Sequence, residues 1–282
     1  MNSYKFSLIM ATYGREIEVD NFLKSILNSK FDISSVQIII VDQNEKIDLA
    51  KYIDTYNNTL NILHIKSNVR GLSQNRNIGL KKAEGEIIAF PDDDCEYLPD
   101  TLLNVYNLFE SRYSDVIMGK IVERDGSDSL RKWPKKEMKI SKSNFFTKCS
   151  SVTMFIRSMG EILEFNEKLG VGNIFGSCED SDMLYNLLKK KNICKYNFNI
   201  EIYHPHYDNS KNMDCEKVKR YGLGFGGFVR SNLDINLIIL FFQIITYHFI
   251  KVIIGIITFN KEKIKKSWIS AISRIIGIIT YK

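Results

Sequence analysis

The stretch GLSQNRNIGLKKAEGEIIAFPDDDC, residues 71–95, decides the fold of this 282-residue chain. A mainly apolar run at residues 86–90 predicts a buried strand, and three consecutive aspartates, Asp92, Asp93 and Asp94, follow it almost at once. Adjacent like charges repel, so a folded protein normally places such a triplet where a cation compensates it. Aspartates at the end of a buried strand can hold a hard divalent ion through oxygen, and that ion can grip a diphosphate.

The sequence on either side of this stretch predicts strands that alternate with helices. Apolar runs indicate further strands, and amphipathic runs indicate helices; the strands are residues 6–11, 36–41 and 61–66, and the helices are residues 16–29, 47–56 and 73–83. This pattern predicts an α/β fold with a mostly parallel sheet covered by helices on both faces. Because ligands bind beyond the carboxyl ends of such strands, we expect Thr12, Asp42 and the three aspartates to share one crevice.

Composition narrows the class of protein. A hydrophobic content of 44% and a charged content of 26% are those of a folded protein. The net charge of +6 is concentrated in residues 260–282, which contain six basic side chains and one acidic side chain. A nearly neutral body argues against nucleic-acid binding, whereas a basic tail suits anionic lipid headgroups. The five cysteines contain no C-x-x-C pair, so neither a zinc site nor a disulfide framework is expected.

Two apolar segments distinguish residues 232–282 from a catalytic domain that we predict at residues 1–231. Residues 237–259 are long enough to cross a bilayer, but Gln243, His248 and Lys251 form a polar stripe. Such a helix more readily lies in the membrane interface or packs its stripe on the body. Residues 268–281 are apolar on one half and follow a lysine-rich segment, which predicts a membrane-surface helix. The alternative is a pair of helices that close a core or a dimer interface.

Two other segments have less certain roles in the sequence. Residues 126–142 are polar and charged, and we interpret them as a surface insertion held by Trp133 and Met138. Residues 221–230 are rich in glycine but lack a P-loop lysine. Their backbone amides and Arg230 could meet a pyrophosphate, or the glycines could allow close helix packing.

Residues 71–86 have the form G-x-S-x-x-R-N-x-G-x-x-x-A-x-G-E before a strand and an aspartate motif. In this respect the chain resembles the family 2 inverting glycosyltransferases of GT-A fold that assemble bacterial surface polysaccharides. The resemblance implies Mn²⁺- or Mg²⁺-dependent transfer from a nucleotide-diphosphate donor, a UDP-sugar, to a lipid-linked saccharide. Processive members carry Gln-x-x-Arg-Trp, which is absent from this sequence, so we expect one sugar to be added per encounter.

The resemblance also implies a role for each matching residue. Donor binding falls to Thr12, Arg15, Asp42, Arg70, Arg76, Asn77, Asp92 and Asp93. Metal binding falls to Asp92, Asp94, His204 and His206, the two histidines being on one face of a strand. The general base is Asp180, with Glu179 beside it. Gly14 and Gln43 replace the usual Asn and Asp, which leaves the identity of the base open.

Three other functions fit parts of the sequence. One is a polyprenyl-phosphate sugar synthase, in which the acceptor is a lipid phosphate and no hydroxyl needs deprotonation. Another is a sugar nucleotidyltransferase, which would release pyrophosphate, and the third is a non-catalytic sugar-binding protein. Because no signal peptide precedes the first predicted strand, we expect the body on the cytoplasmic face of the inner membrane, peripheral or monotopic. A homodimer is compatible with the sequence.

Overall fold

The computed structural model describes residues 4–111, 114–158, 160, 163–205 and 213–282. His206, one of the predicted metal ligands, lies outside the described residues. The described strands are β1 Tyr4–Thr12, β2 Val36–Asp42, β3 Asn61–Lys66, β4 Gly85–Ala89, β5 Glu96–Tyr97, β6 Val116–Val122, β7 Met138–Lys139, β8 Met154–Arg157 and β9 Cys194–Tyr203. The described helices are α1 Ile17–Leu27, α2 Ala50–Ile53, α3 Leu72–Leu80, α4 Thr101–Glu110, α5 Glu179–Lys189, α6 Cys215–Ser231, α7 Ile235–Ile257 and α8 Lys261–Thr280.

The sheet has the strand order β3-β2-β1-β4-β8-β6-β9-β5, with β7 also paired to β9. The first half follows the prediction, since β1, β2, β3 and β4 are parallel. In the second half, β6 and β9 keep this direction, whereas β8, β5 and β7 run against it. Among the described strands the sheet is therefore mixed, with six of nine strands in one direction, as predicted for a mostly parallel sheet. The apolar runs identified the strands, but runs buried on both faces do not reveal strand direction.

The chain divides into two compact units. The first comprises Met1–Arg70, Gln74–Glu164 and Leu187–Tyr207, and it contains the sheet. Its core is built from the apolar strands, in which Phe6, Leu8, Ile38 and Phe155 are fully buried. The second comprises Gly71–Ser73, Phe165–Asn186 and Asp208–Lys282. This division differs from the predicted boundary at 231/232, because α6 precedes that boundary and packs on α8, which follows it.

Glycines in α6 allow this close packing. A Cβ built on Gly226 would lie 2.8 Å from the Cα of Gly277, and a Cβ on Gly222 would overlap the Oγ of Ser273. Only small residues let two helix backbones approach so closely. The helix-packing alternative for residues 221–230 is therefore confirmed. The pyrophosphate alternative is wrong for these amides, because they lie within a helix and bond to its carbonyls.

The two following helices expose apolar side chains. α7 is a described helix long and apolar enough to cross a membrane, with a mean hydropathy of 2.2 and only 11% of its most apolar window buried. In α8 the side chains of Ser270 and Ser273 are buried, whereas Trp268 is 50% exposed and Ile279 is 73% exposed. The His248 ring of α7 hydrogen-bonds the Ser270 hydroxyl at 3.1 Å. In α8, small and polar side chains thus face inward and large apolar ones outward, the reverse of the usual soluble arrangement.

The predicted surface insertion at residues 126–142 is anchored more firmly than its composition indicated. Trp133 is buried and stacks on Tyr196 of β9, with a centroid distance of 6.3 Å. The hydroxyl of Tyr196 donates to the carbonyl of Pro134 at 2.9 Å, and β7 pairs with β9. The segment is therefore fixed along the first unit's sheet.

Candidate active site

The three aspartates lie where β4 ends, in the first unit. Two strands bring them to a histidine: β5 follows the aspartates and pairs with the last residues of β9, and His204 follows β9. The Nε2 atom of His204 lies 3.1 Å from Oδ1 of Asp94 and 3.6 Å from Oδ2 of Asp92. One ligand atom from each of these three residues lies within 4.8 Å of the others. The structure thus brings together three of the four predicted metal ligands.

Electrostatics couple these three groups. Burial alone would lower the pKa of His204, but its hydrogen bonds and charge interactions with Asp92 and Asp94 raise that pKa to about 10. Burial opposes ionisation of Asp92 as well, yet His204 and the Arg76 guanidinium hold its pKa below the usual value. Arg76 is fully buried on α3, and its Nη2 donates to Oδ1 of Asp92 at 2.7 Å.

Arg15 and Asp93 complete the cluster. The Nη2 atom of Arg15 donates to Oδ2 of Asp94 at 3.1 Å, while its Nε lies 4.0 Å from Oδ1 of Asp93. The amide of Tyr13 donates to Oδ2 of Asp93 at 3.4 Å. Burial raises the pKa of Asp93 to about 7, and the neighbouring Asp92 and Asp94 charges add to the effect. A cation at this site would therefore stabilise the ionised triplet.

The donor set and spacing fit a divalent cation. Ligands at right angles around an octahedral ion, each about 2.1 Å from it, lie about 3 Å apart. The 3.1 Å and 3.6 Å separations of His204 from the two carboxylates are close to this value. Carboxylate oxygens suit Mn²⁺ and Mg²⁺, whereas an imidazole ligand favours a transition-metal ion over Mg²⁺. The remaining oxygens of Asp92 and Asp94 are held by arginines, which fixes the orientation of both carboxylates.

A second polar cluster surrounds Asp42. This residue pairs with Thr12 across β1 and β2, and both side chains are fully buried. The carboxylate accepts hydrogen bonds from the Asn44 amide and side chain, and it lies 2.9 Å from Nε2 of His64 and 2.8 Å from Nζ of Lys66. Four partners saturate a carboxylate. A bound base would therefore replace a partner, and Lys66, with 53% of its side chain exposed, is the most accessible one.

These neighbours of Asp42 were missed in the sequence. His64 and Lys66 are two residues apart on β3 and so share a face, and Lys66 pairs in register with Asp42. Once β2 and β3 are taken as neighbours, that two-residue spacing predicts that both side chains can lie beside Asp42. Asn44 also joins the Asp42 cluster to the loop after β1, since its Oδ1 accepts from the amide of Gly14 at 2.6 Å.

The substitution Asp42→Asn is expected to make the free energy of unfolding less dependent on pH below neutrality. Burial opposes ionisation, but hydrogen bonds from Lys66, Asn44 and His64 hold the pKa of Asp42 below its ordinary value. A lowered folded-state pKa stabilises the fold above the unfolded value of about 3.9, and this contribution is lost as pH falls through the folded-state value. At pH 6 the free energy of unfolding of the wild type should exceed that of the variant by about 1–3 kcal/mol.

Urea unfolding at several pH values between 6 and 3 measures this difference, which should shrink below about pH 4. Asp100→Asn is a matched control, since the Asp100 side chain forms an exposed pair with Lys30 at 2.9 Å. A difference independent of pH would show that the Asp42 charge contributes nothing to stability.

Two predicted donor-binding residues occupy other positions in the first unit. Arg70 is exposed, and its Nη2 lies 3.6 Å from Oε1 of Glu45. Asn77 is buried on α3, beside Arg76 in sequence.

The predicted base lies at the start of α5, in the second unit. Cys178 precedes the helix with a φ of 69°, which turns the chain sharply into it. Glu179 is buried, whereas Asp180 is partly exposed and its Oδ1 accepts from the Ser181 amide at 2.6 Å. A carboxylate in the first turn interacts favourably with the helix dipole. The hydrogen bond from the Ser181 amide therefore fixes the orientation of the Asp180 carboxylate, as a base requires.

Comparison with known families gives one match that covers more than half of the chain. The model of glycosyl transferase family 2 matches residues 7–163. The matched region begins within β1, ends after β8 and includes the Asp92–Asp94 triplet.

Two characterised relatives align with parts of the sequence. Poly(ribitol-phosphate) beta-N-acetylglucosaminyltransferase TarS of Staphylococcus aureus is 29% identical over 119 residues, 42% of this chain and 21% of that protein. GalNAc(5)-diNAcBac-PP-undecaprenol beta-1,3-glucosyltransferase of Campylobacter jejuni is 28% identical over 196 residues, 66% of this chain and 60% of that protein. The matches thus span about a fifth and three fifths of the two relatives.

Solved structures share the fold. S. aureus TarS 1-349 in complex with UDP superposes with a TM-score of 0.62 at 20% identity, covering 81% of this chain and 70% of that one. Mannosyltransferase PcManGT of Pyrobaculum calidifontis, in complex with GDP-Man and Mn²⁺, gives a TM-score of 0.60 at 12% identity, covering 98% and 74%. The predicted GT-A fold is confirmed by these likenesses.

Proposed function

The chain belongs to glycosyl transferase family 2, and from that premise we propose that it transfers one sugar from a UDP-sugar to a lipid-linked saccharide, with inversion at the anomeric carbon. The observation that carries the proposal is the cluster of Asp92, Asp94 and His204 at the end of β4, flanked by Arg15 and Arg76. A nucleoside diphosphate is a poor leaving group unless its developing charge is neutralised, and a cation held by this cluster would neutralise it.

The donor's nucleoside would occupy the edge of β1 and β2. Thr12 and Asp42 end these strands, and the Asn44 side chain links the Asp42 cluster to the Gly14 amide. The base and ribose would lie at the ends of these two strands, with Arg70 and Asn77 as further donor contacts. The UDP complex of TarS, which has the same fold, supports a uridine nucleotide.

Asp92, Asp94 and His204 would hold Mn²⁺ or Mg²⁺, and His206 stays a predicted fourth ligand. Such an ion, when bound, neutralises the leaving diphosphate. Arg15 and Arg76 orient the carboxylates, and Asp93 adds negative charge beside them. The Mn²⁺ complex of the mannosyltransferase supports a divalent ion in this fold.

Asp180 would take the proton from the acceptor hydroxyl. The side chain sits in the first turn of α5, and Glu179 is its buried neighbour. A positioned base contributes about 10²–10⁴-fold to such a reaction. Inversion requires the acceptor hydroxyl to attack the anomeric carbon from the side opposite the leaving diphosphate.

A lipid-linked acceptor fits the second unit better than a free polymer does. α7 and α8 present apolar side chains outward, and the C. jejuni relative is named for an undecaprenol-linked substrate. The TarS name instead specifies poly(ribitol-phosphate). We place the enzyme on the cytoplasmic face of the membrane, with the basic start of α8 against anionic headgroups.

The proposal is tested by incubating the full chain in lipid nanodiscs with UDP-, GDP- and dTDP-sugars, with and without Mn²⁺. Release of the nucleoside diphosphate in the presence of metal is expected for one donor class. Release of pyrophosphate would identify a nucleotidyltransferase instead. No turnover of any donor, with or without lipid-linked acceptor, would contradict an enzymatic role.

Replacing Lys261, Lys263, Lys265 and Lys266 with glutamine is expected to weaken binding to anionic liposomes at least about tenfold, because each basic residue near such a surface contributes on the order of 1 kcal/mol. These residues lead directly into the exposed apolar side chains of α8. Co-sedimentation with vesicles of phosphatidylglycerol and phosphatidylcholine measures the change. The loss should be greater at low salt, since exposed charges are screened.

A matched control replaces four exposed lysines of the first unit, Lys132, Lys135, Lys136 and Lys139, with glutamine. This control removes the same charge without touching α8 and should bind vesicles like wild type. Equal losses in both variants would assign the attraction to overall charge and would refute a role for the start of α8.

A further inference from the structure

A cavity of about 400 Å³ opens in the second unit beside the start of α6. Its wall includes Gly172, Asn173 and Gly176 from the loop before α5, and Lys217, Arg220 and Tyr221 from α6. Its volume lies in the range of small-molecule sites. Among the described residues, none of those assigned to donor or metal binding lines it.

Hydrogen bonds hold the two walls together. The amide of Gly176 donates to the carbonyl of Arg220 at 3.2 Å, and the Ser177 hydroxyl donates to the carbonyl of Tyr221 at 2.9 Å. A Cβ on Gly176 would lie only 3.1 Å from the Cβ of Arg220, so the loop lies directly against the helix. The cavity is thus a fixed feature of this unit and not a gap between loosely packed segments.

Two cations and an aromatic ring line the side formed by α6. Lys217 and Arg220 are three residues apart and so share a face of the helix. The ammonium of Lys217 lies 5.7 Å from the centre of the Tyr221 ring. A cation beside an aromatic face suits a ligand that has both an anionic group and a sugar ring.

Acidic groups at the cavity are already engaged. Asp214 caps α6, since its Oδ1 accepts from the Lys217 amide at 2.7 Å. Glu216 lies 3.6 Å from Nε of Arg220, with more than half of each side chain exposed. Such exposed pairs are worth little, so an incoming phosphate can compete for Arg220.

Tyr221 connects the cavity to the proposed base. Its side chain is partly buried, and burial together with the negative charges of Glu179 and Asp180 raises the pKa of Tyr221. The loop wall of the cavity also leads into α5, since Gly176 lines the cavity and precedes Asp180 by four residues.

We propose that this cavity binds the phosphate-bearing end of the acceptor glycan, with its sugar against Tyr221 and its phosphate against Lys217 and Arg220. The inference rests on the proposed function, because it takes the acceptor hydroxyl to meet Asp180. The shared chemistry is a phosphate ester next to a sugar or polyol. A prenyl-diphosphate saccharide and a polyol-phosphate chain both supply it.

Binding titrations on the full chain, with UDP and Mn²⁺ saturating, test the assignment. The probes are a short prenyl-diphosphate-linked N-acetylglucosamine, a ribitol-phosphate trimer and methyl N-acetylglucosaminide. One of the two phosphate-bearing probes should bind, and Arg220→Gln and Lys217→Gln should each weaken it at least about fivefold, as expected for a lost charge-assisted hydrogen bond. The phosphate-free glycoside should bind weakly and respond to neither substitution.

Lys219→Gln is the matched control, because Lys219 is exposed on the same turn of α6 and does not line the cavity. Arg220→Lys should recover part of the lost affinity. Which phosphate-bearing probe binds identifies the acceptor as lipid-linked or polymeric. Equal affinity in Arg220→Gln and wild type, or no binding of either phosphate-bearing probe, overturns the assignment. Donor turnover is measured separately, so this result does not depend on the test of the proposed function.

Discussion

Asp94→Ala is expected to lower the turnover number for sugar transfer at least about a hundredfold, the scale of losing one key electrostatic stabiliser. Oδ1 of Asp94 faces His204 and its Oδ2 faces Arg15, so the substitution removes one of the three proposed metal ligands and releases the arginine. Turnover at saturating donor and Mn²⁺, together with Mn²⁺ affinity from calorimetry, measures the effect. Both should fall.

Asp100→Ala is the control, since Asp100 lies on the surface of the same unit and pairs only with Lys30 in the described contacts. Its turnover should match that of wild type. Full activity of Asp94→Ala, or of wild type in EDTA, would refute the assignment of a catalytic metal to Asp92, Asp94 and His204.

Asp180→Asn is expected to lower the transfer rate at least about a hundredfold, which is the contribution typical of a general base. The substitution keeps the size of the side chain and removes its basicity. Affinity for UDP in the presence of Mn²⁺ should be retained, because the proposed donor contacts all come from other residues. Single-turnover transfer and calorimetric UDP binding separate the two effects.

Asp182→Asn shows what a structural carboxylate on the same helix does. Asp182 is buried, and it accepts hydrogen bonds from the side chains of Asn186 and Asn232. This variant should unfold at a lower temperature, whereas Asp180→Asn should unfold like wild type. Loss of UDP binding or of thermal stability in Asp180→Asn would make that residue a binding or structural group. Unimpaired transfer would favour a lipid-phosphate acceptor, which needs no base.

The parts of the site that could be predicted are those encoded by local sequence. The aspartates closely follow an apolar strand, and His204 follows another. Their positions in the sequence were therefore enough to indicate that both lie at strand ends. The start of α5 was indicated by acidic residues that favour the first turn of a helix. The structure places these residues where expected, while their roles in catalysis stay predictions.

The parts that could not be predicted depend on pairing between distant segments. His64 and Lys66 act on Asp42 only because β3 is the parallel neighbour of β2. The antiparallel direction of β8 depends on its pairing with both β4 and β6. The glycine-rich α6 was ambiguous because glycine disfavours helices in isolation, and only its packing against Gly277 makes the close approach favourable.

The measurement that tests the central claim most directly is the anomeric configuration of the product, determined by NMR after transfer from an α-linked UDP-sugar to a prenyl-diphosphate-linked saccharide. The proposed mechanism, in which Asp180 acts as base and a cation at Asp92, Asp94 and His204 holds the diphosphate, is a single displacement and therefore inverts the anomeric carbon. The account predicts a β-linked product with one UDP released per sugar transferred. An α-linked product, or release of pyrophosphate in place of UDP, would contradict it.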